Sequence, residues 1–252
     1  LRVALPPTGN SRPLFPLFKM RTIRSLAPIG LFGLLLTTPA TLLSQGANPD
    51  PGRFSEAISR FADWDSQNAW PHEGVVFVGS SSIVRWSTRE RFEDLPVINR
   101  GFGGSHISDV NHFIEETVLR YGPEVVVFYA GNNDIAAGKS ADQVFADYQH
   151  FVGRVHSRHP AAQILFISTH PSLLRWEHWP EMQRLNASVL RYSEANPALH
   201  YADITAGMLG ADGRPRPELF VEDGLHLTEA GYDVWTPIVA RGVASLRKGW
   251  SR

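Results

Sequence analysis

Between residues 54 and 246 apolar positions fall into two alternating patterns. Residues 75–78 (VVFV), 95–99, 124–130 (EVVVFYA), 163–168 (QILFIS) and 200–204 are short and largely apolar or β-branched. Such runs suit strands buried on both faces. Residues 54–64, 107–119, 141–156, 181–195 and 228–246 carry apolar side chains three and four positions apart, the spacing of an amphipathic helix. Strands of this kind alternating with helices predict a parallel sheet covered on both sides. The expected architecture is a three-layer α/β/α sandwich around a central five-stranded parallel sheet. No internal repeat or low-complexity tract interrupts the series.

The first 47 residues follow neither pattern. Residues 1–19 are rich in Pro and Arg, and Met20 then opens a different segment. Arg21 and Arg24 precede residues 26–43, which are uncharged and mostly apolar. That order of charge and hydrophobicity predicts an export signal starting at Met20, with the preceding residues a gene-start artefact. Small residues near Thr38 and Ala40, or Gly46 and Ala47, offer cleavage sites. The apolar stretch is just long enough to span a bilayer, so an uncleaved anchor is the alternative, but Pro28 and Pro39 interrupt it. We therefore expect residues 1–47 to be an N-terminal extension with a signal peptide, and residues 48–252 to be the functional domain. The mature protein is expected in the periplasm or outside the cell, with no stable membrane insertion.

Composition narrows the chemistry. The 252 residues carry a formal net charge of −1, with acids and bases interspersed. No basic stripe suggests a nucleic-acid partner. The absence of cysteine rules out disulfides, zinc–thiolate sites, a cysteine nucleophile and a lipid-modified N-terminal cysteine. No His-Glu-x-x-His is present. A metal held by His170, His178 and His226 is not expected.

In open parallel sheets ligands bind beyond the carboxyl ends of the strands. The first strand is followed by Gly79-Ser80-Ser81-Ser82-Ile83, and the second by Arg100-Gly101-Phe102-Gly103-Gly104-Ser105 after Asn99. The third leads into Gly131-Asn132-Asn133-Asp134 and the fourth into His170-Pro171-Ser172. After the fifth, and a longer loop, comes Asp223-Gly224-Leu225-His226. All these polar clusters fall on one edge of the sheet, which predicts one site. Alone, the serine run reads more readily as a helix-capping turn, and Ser80 or Ser82 competes with Ser81 as its reactive member, with only the spacing from the strand end favouring Ser81.

In their order and spacing these blocks resemble the SGNH (GDSL-like) hydrolase superfamily, in the subgroup with Gly-Ser-Ser-Ser-Ile. The sequence departs from the usual Gly-Asp-Ser at Ser80. The resemblance implies a flavodoxin-like sheet, a nucleophile at Ser81, and a general base at His226 held by Asp223. It also implies an oxyanion hole from the backbone N–H of Ser81 and Gly104 and the side chain of Asn133. The chemistry suits these residue types. A serine hydroxyl needs a base to take its proton as it attacks, and imidazole does so and then protonates the leaving group. Asp134 is read as a loop-bracing or capping carboxylate. His170, Arg175 and Trp176 are expected either to line a wall for a sugar or headgroup, or to belong to an aromatic patch closing the domain. The expected activity is hydrolysis of short-chain, acetyl-type esters of carbohydrate or lipid-derived small molecules, with no cofactor. An acyltransferase using the same acyl-enzyme and a non-catalytic binding module on this scaffold are the alternatives.

Overall fold

In the computed structural model, the described residues are 48–70 and 72–247. The expectations for residues 1–47 lie outside them. A helix α1 (Ser55–Gln67) leads into β1 (Val75–Gly79), the short helices α2 (Ser81–Val84) and α3 (Thr88–Arg91), and β2 (Val97–Gly101). Next come α4 (Ile107–His112), α5 (Ile114–Thr117), β3 (Val125–Tyr129), α6 (Asn132–Ala136) and α7 (Ala141–Arg158). The chain closes with β4 (Gln163–Ile167), α8 (Trp179–Glu194), β5 (Leu199–Ala202), α9 (Thr205–Met208) and α10 (Glu229–Leu246). The five strands form one parallel sheet in the order β2-β1-β3-β4-β5. The expected α/β architecture is the observed one.

Alternation along the strands builds two cores. Val76, Val78, Val126, Phe128, Ile164 and Phe166 point to the side covered by α1, α4, α7 and α8. Val75, Phe77, Val127, Tyr129, Leu165 and Ile167 point to the other, where Trp86, Tyr232, Trp235 and Val239 meet them. Each fully buried side chain of this size is stabilised by roughly 1.5–3 kcal/mol relative to exposure. This explains why the strands read as continuous apolar runs and not as alternating ones.

Several boundaries shift by one or two residues, β5 among them, and two elements differ in ways that bear on the site. The second strand starts at Val97, because Pro96 has no N–H to add to the ladder, and pairs with β1 from Val75↔Val97 to Gly79↔Gly101. Asn99 therefore lies within the strand. Its Nδ2 donates to the carbonyls of Ile83 (2.7 Å) and Trp86 (3.3 Å), closing the end of α2. The expected helix over 107–119 is instead two short helices and a 3₁₀ turn, broken at Phe113.

The order of strands places a reversal at β1. The chain moves outward to β2 and then returns past β1 to β3, opening a crevice at the carboxyl ends of β1 and β3. At that point the backbones approach closely. Gly79 has φ of +137°, and a Cβ there would lie 1.8 Å from the carbonyl oxygen of Tyr129. Gly79→Ala is expected to cost on the order of 3 kcal/mol or more in urea unfolding. Gly153→Ala, in the middle of α7 with nothing within 4 Å of the added carbon, is expected to raise stability by about 0.5–1 kcal/mol. Equal effects of the two substitutions would refute this account of Gly79.

Candidate active site

The turn after β1 is built around Ser81. The N–H of Ser80 donates to the carbonyl of Tyr129 at 2.9 Å, which ends β1 and starts α2 at Ser81. Asn99 holds the far end of α2, and the Tyr232 hydroxyl donates to the carbonyl of Ser82 at 2.9 Å. Ser80 and Ser82 are buried, whereas Ser81 is half-exposed. Burial thus distinguishes Ser81, the member that the resemblance singles out, from its two neighbours.

His226 and Asp223 sit on the loop before α10. This loop is clamped by a bridge between Phe220 and Leu227 and by a bond from Leu174 N–H to Gly224 O (2.9 Å). Gly224 takes φ of +64°, and a Cβ would crowd Leu173 at 3.1 Å. His226 Nε2 lies 3.0 Å from Ser81 Oγ, and its Nδ1 lies 2.6 Å from Asp223 Oδ2. A carboxylate only accepts, so Nδ1 carries the proton and Nε2 is free to take one from Ser81. The other Asp223 oxygen accepts the N–H groups of Leu225 (2.8 Å) and His226 (2.9 Å). The bond from His226, together with these amides, holds the Asp223 carboxyl down at about 2.

Three donors face the same opening. Ser81, Gly104 and Asn133 line a shallow cavity of about 440 Å³ together with Val84, Leu225 and His226. The N–H groups of Ser81 and Gly104 have no acceptor among the described residues. Gly104, at φ of +83°, turns the β2 loop at this point. Asn133 is the second residue of α6, after Gly131 at φ of +115°. Its Nδ2 donates to Ser105 O at 3.0 Å, and its Oδ1 accepts from Arg175 Nη1 at 2.9 Å. These two contacts fix which way the carboxamide points, leaving the second N–H unused.

Asp134 couples the two loops that carry Gly104 and Asn133. Fully buried, it accepts the N–H of Ile107 through both oxygens at 3.1 and 3.2 Å. Lys139 Nζ lies 3.1 Å from Asp134 Oδ1 and 2.7 Å from Asp147 Oδ2. Burial pushes the Asp134 carboxyl up to about 6, against the pull of Lys139. Burial lowers Lys139 as well, but its two carboxylate partners outweigh this and raise it.

The three residues expected to form a substrate wall separate. Only Arg175 reaches the cavity. His170, at 1% exposure, has no surface to offer a substrate. Its Nδ1 lies 2.5 Å from the Tyr129 hydroxyl and its ring stacks on Tyr129 and Phe220, so it supports the His226 loop from beneath. Burial holds it down at about 4, uncharged at neutral pH. Trp176 stacks on Trp179, takes the Arg214 guanidinium over its ring at 5.1 Å, and faces a neighbouring cleft. The reason is chain direction. His170 continues inward from β4, and the segment turns out to the surface only after Ser172. The site residues that the sequence reading missed are Lys139 and Arg85. Arg85 was legible as the residue four after Ser81, on the same helical face; nothing in the sequence marks Lys139.

Removing Lys139 leaves the Asp134 carboxylate buried beside no cation. Lys139→Met is expected to cost about 3–5 kcal/mol at neutral pH. The folded Asp134 carboxyl then titrates well above its unfolded value, so the native state binds more protons than the unfolded state. Stability is recovered as pH falls from 7 toward 4. Urea midpoints of wild type and variant across that range measure this, and a deficit that does not shrink on acidification would refute it.

The match to known proteins rests on the same parts of the chain. Residues 76–234 match the model of the GDSL-like Lipase/Acylhydrolase family. No protein of curated function matches the chain. A putative acylhydrolase from Bacteroides fragilis superposes with a TM-score of 0.65 at 25% identity, over 75% of this chain and 97% of its own. A GDSL-like lipase from Bacteroides thetaiotaomicron gives 0.66 at 23% identity, over 75% and 97%. A carbohydrate esterase family 3 protein from Talaromyces cellulolyticus gives 0.57 at 17%, over 70% and 99%. The matched span holds the β1 turn, the Gly104 and Asn133 loops, and the Asp223–His226 pair, and the chain belongs to the GDSL-like lipase/acylhydrolase family of hydrolases.

Proposed function

We propose that this protein is a serine esterase that cleaves short acyl esters through an acyl-serine intermediate. The observation that carries the reading is the chain Ser81 Oγ–His226 Nε2–Asp223, at 3.0 and 2.6 Å, facing two unoccupied backbone N–H groups. As Ser81 Oγ attacks the ester carbonyl, its proton passes to His226 Nε2. Asp223, ionised above about pH 2, stabilises the resulting imidazolium. The tetrahedral oxyanion takes hydrogen bonds from the N–H groups of Ser81 and Gly104 and from Asn133 Nδ2. Collapse expels the alcohol, which takes the proton from His226. Water then repeats the sequence to release the acid and free Ser81. The shallow cavity, walled by Val84 and Leu225, favours acetyl-sized acyl groups. The resemblance to a carbohydrate esterase supports a substrate in which such a group is carried on a sugar or similar alcohol.

Hydrolysis of p-nitrophenyl esters is expected to fall steeply beyond short chains. Ser81→Ala should lower kcat by at least ~10³-fold. Asn133→Ala should lower it by about 10²–10³-fold with little change in KM, since that donor acts on the transition state. Undiminished activity in Ser81→Ala would refute the nucleophile, and mass mapping of a fluorophosphonate adduct identifies the serine that reacts.

We also infer that this activity is exported, on the basis of Arg21, Arg24 and the apolar residues 26–43. Protein recovered outside the cytoplasm should begin shortly after residue 40 or residue 47 by N-terminal sequencing. A chain there still starting near Met20 would refute cleavage.

A further inference from the structure

We propose that the cavity over Ser81 takes esters whose alcohol portion carries an anionic group, a carboxylate or a phosphate, bound by Arg175 and Arg85. The inference deepens the esterase reading and rests on it for the word ester, but the anion site has its own observations.

The first is the state of Arg175. Of the arginines that the fold withdraws from full exposure, Arg91 pairs with Glu229 and Asp233, Arg100 with Asp65, Arg216 with Glu218 and Arg247 with Glu124. Arg175 is equally withdrawn and pairs with no carboxylate among the described residues. Its side chain makes one hydrogen bond, from Nη1 to the neutral amide oxygen of Asn133. A guanidinium offers five N–H donors, so most of its donor capacity is uncommitted. Desolvation without a counter-charge also lowers its pKa. Orienting a carboxamide needs a donor and not a full charge. An unpaired, partly desolvated cation is a cost that an incoming anion would offset.

The second observation is the company it keeps. Arg85, exposed and without an ion-pair partner among the described residues, lines the same cavity, and no described aspartate or glutamate does. Asp223 bonds the Nδ1 edge of His226, opposite the Nε2 that meets Ser81, with both oxygens engaged by His226 and the amides of Leu225 and His226, and its one charge is outnumbered by the two guanidinium groups. The opening is therefore a local positive field in a chain of net charge −1. An acetyl-sized acyl group has no room for a charge of its own, which assigns the anion to the alcohol. Planar guanidinium forks match both carboxylate and phosphate oxygens.

The test compares 4-acetoxybenzoate and 4-acetoxyphenyl phosphate with the neutral 4-acetoxybenzamide, in wild type and in Arg85→Gln, Arg175→Gln and the double variant. At low salt we expect kcat/KM to favour at least one anionic ester by about tenfold or more. The preference should shrink with added salt and fall to near unity in the double variant. The ratio is internal to each variant, so a slower Arg175→Gln enzyme, with Asn133 less well held, does not confound it. Which anion is preferred distinguishes a carboxylate-bearing substrate from a phosphate-bearing one. Equal rates for the neutral and both charged esters in wild type would overturn the inference while leaving the esterase reading intact. Calorimetric binding of the uncleavable 4-acetamidobenzoate, against 4-acetamidobenzamide, is the independent arm. Binding of the anion that is lost in the double variant, with no ester cleaved at all, would uphold the anion site and overturn the esterase reading.

Discussion

The hydrogen bond from Ser80 N–H to Tyr129 O determines where the chemistry can be. It exists because Gly79 carries no side chain, so β1 and β3 can come together at their carboxyl ends with nothing between the backbones. That contact stops β1, aims α2, and leaves the first N–H of α2 without an acceptor, beside the hydroxyl of the same residue. The proposed nucleophile and one of the proposed oxyanion donors thus belong to one turn. Tyr129 also places its hydroxyl against His170, which lies beneath the loop of His226. A single close approach therefore orders both the Ser81 turn and the support of the His226 loop.

The donors from the other two loops are held by a different force. Gly104 and Asn133 lie on separate crossovers, and no strand pairing fixes one against the other. Asp134 does so by reaching across to Ile107, and Asn133 returns the contact through Ser105. A carboxylate in that position is stable only with a cation beside it. Lys139, five residues further along the same loop, supplies it and is itself balanced by Asp147 on α7. The relative placement of the Gly104 and Asn133 loops thus rests on a buried charge network, whose members sequence alone gives no reason to connect.

This division explains what was legible. Strand and helix order followed from burial on both faces, which writes itself into the sequence as continuous apolar runs. The Asp223–His226 pair was legible because both partners lie on one short loop. Ser81 was separable from Ser80 and Ser82 only by analogy, since the difference is one of burial. The carboxyl end of β2 was misplaced because Asn99 is a polar residue inside the strand, with its backbone paired to Phe77 and its side chain serving α2. His170 looked like a wall residue because it follows a strand end. Its true surroundings, Tyr129, Phe220 and Trp235, come from three distant parts of the chain. Local pattern reveals elements and loop motifs; contacts between loops need the fold.

Arg175 joins the two halves of the site. It reaches the cavity from the segment after β4 and touches Asn133, the one proposed oxyanion donor that is a side chain and so has freedom to turn. An anion engaged by the rest of that guanidinium would also hold Nη1 against Asn133, and through Asn133 the N–H aimed at the reacting carbonyl. Binding energy from a part of the substrate that does not react would then be felt in the geometry that stabilises the transition state, which is how remote contacts come to raise kcat and not only affinity. The same link predicts an asymmetry between the two arginines. The Arg85 guanidinium makes no hydrogen bond to Ser81, Gly104 or Asn133 among the described residues, so its charge would act on capture of the substrate, whereas that of Arg175 would act on capture and turnover together.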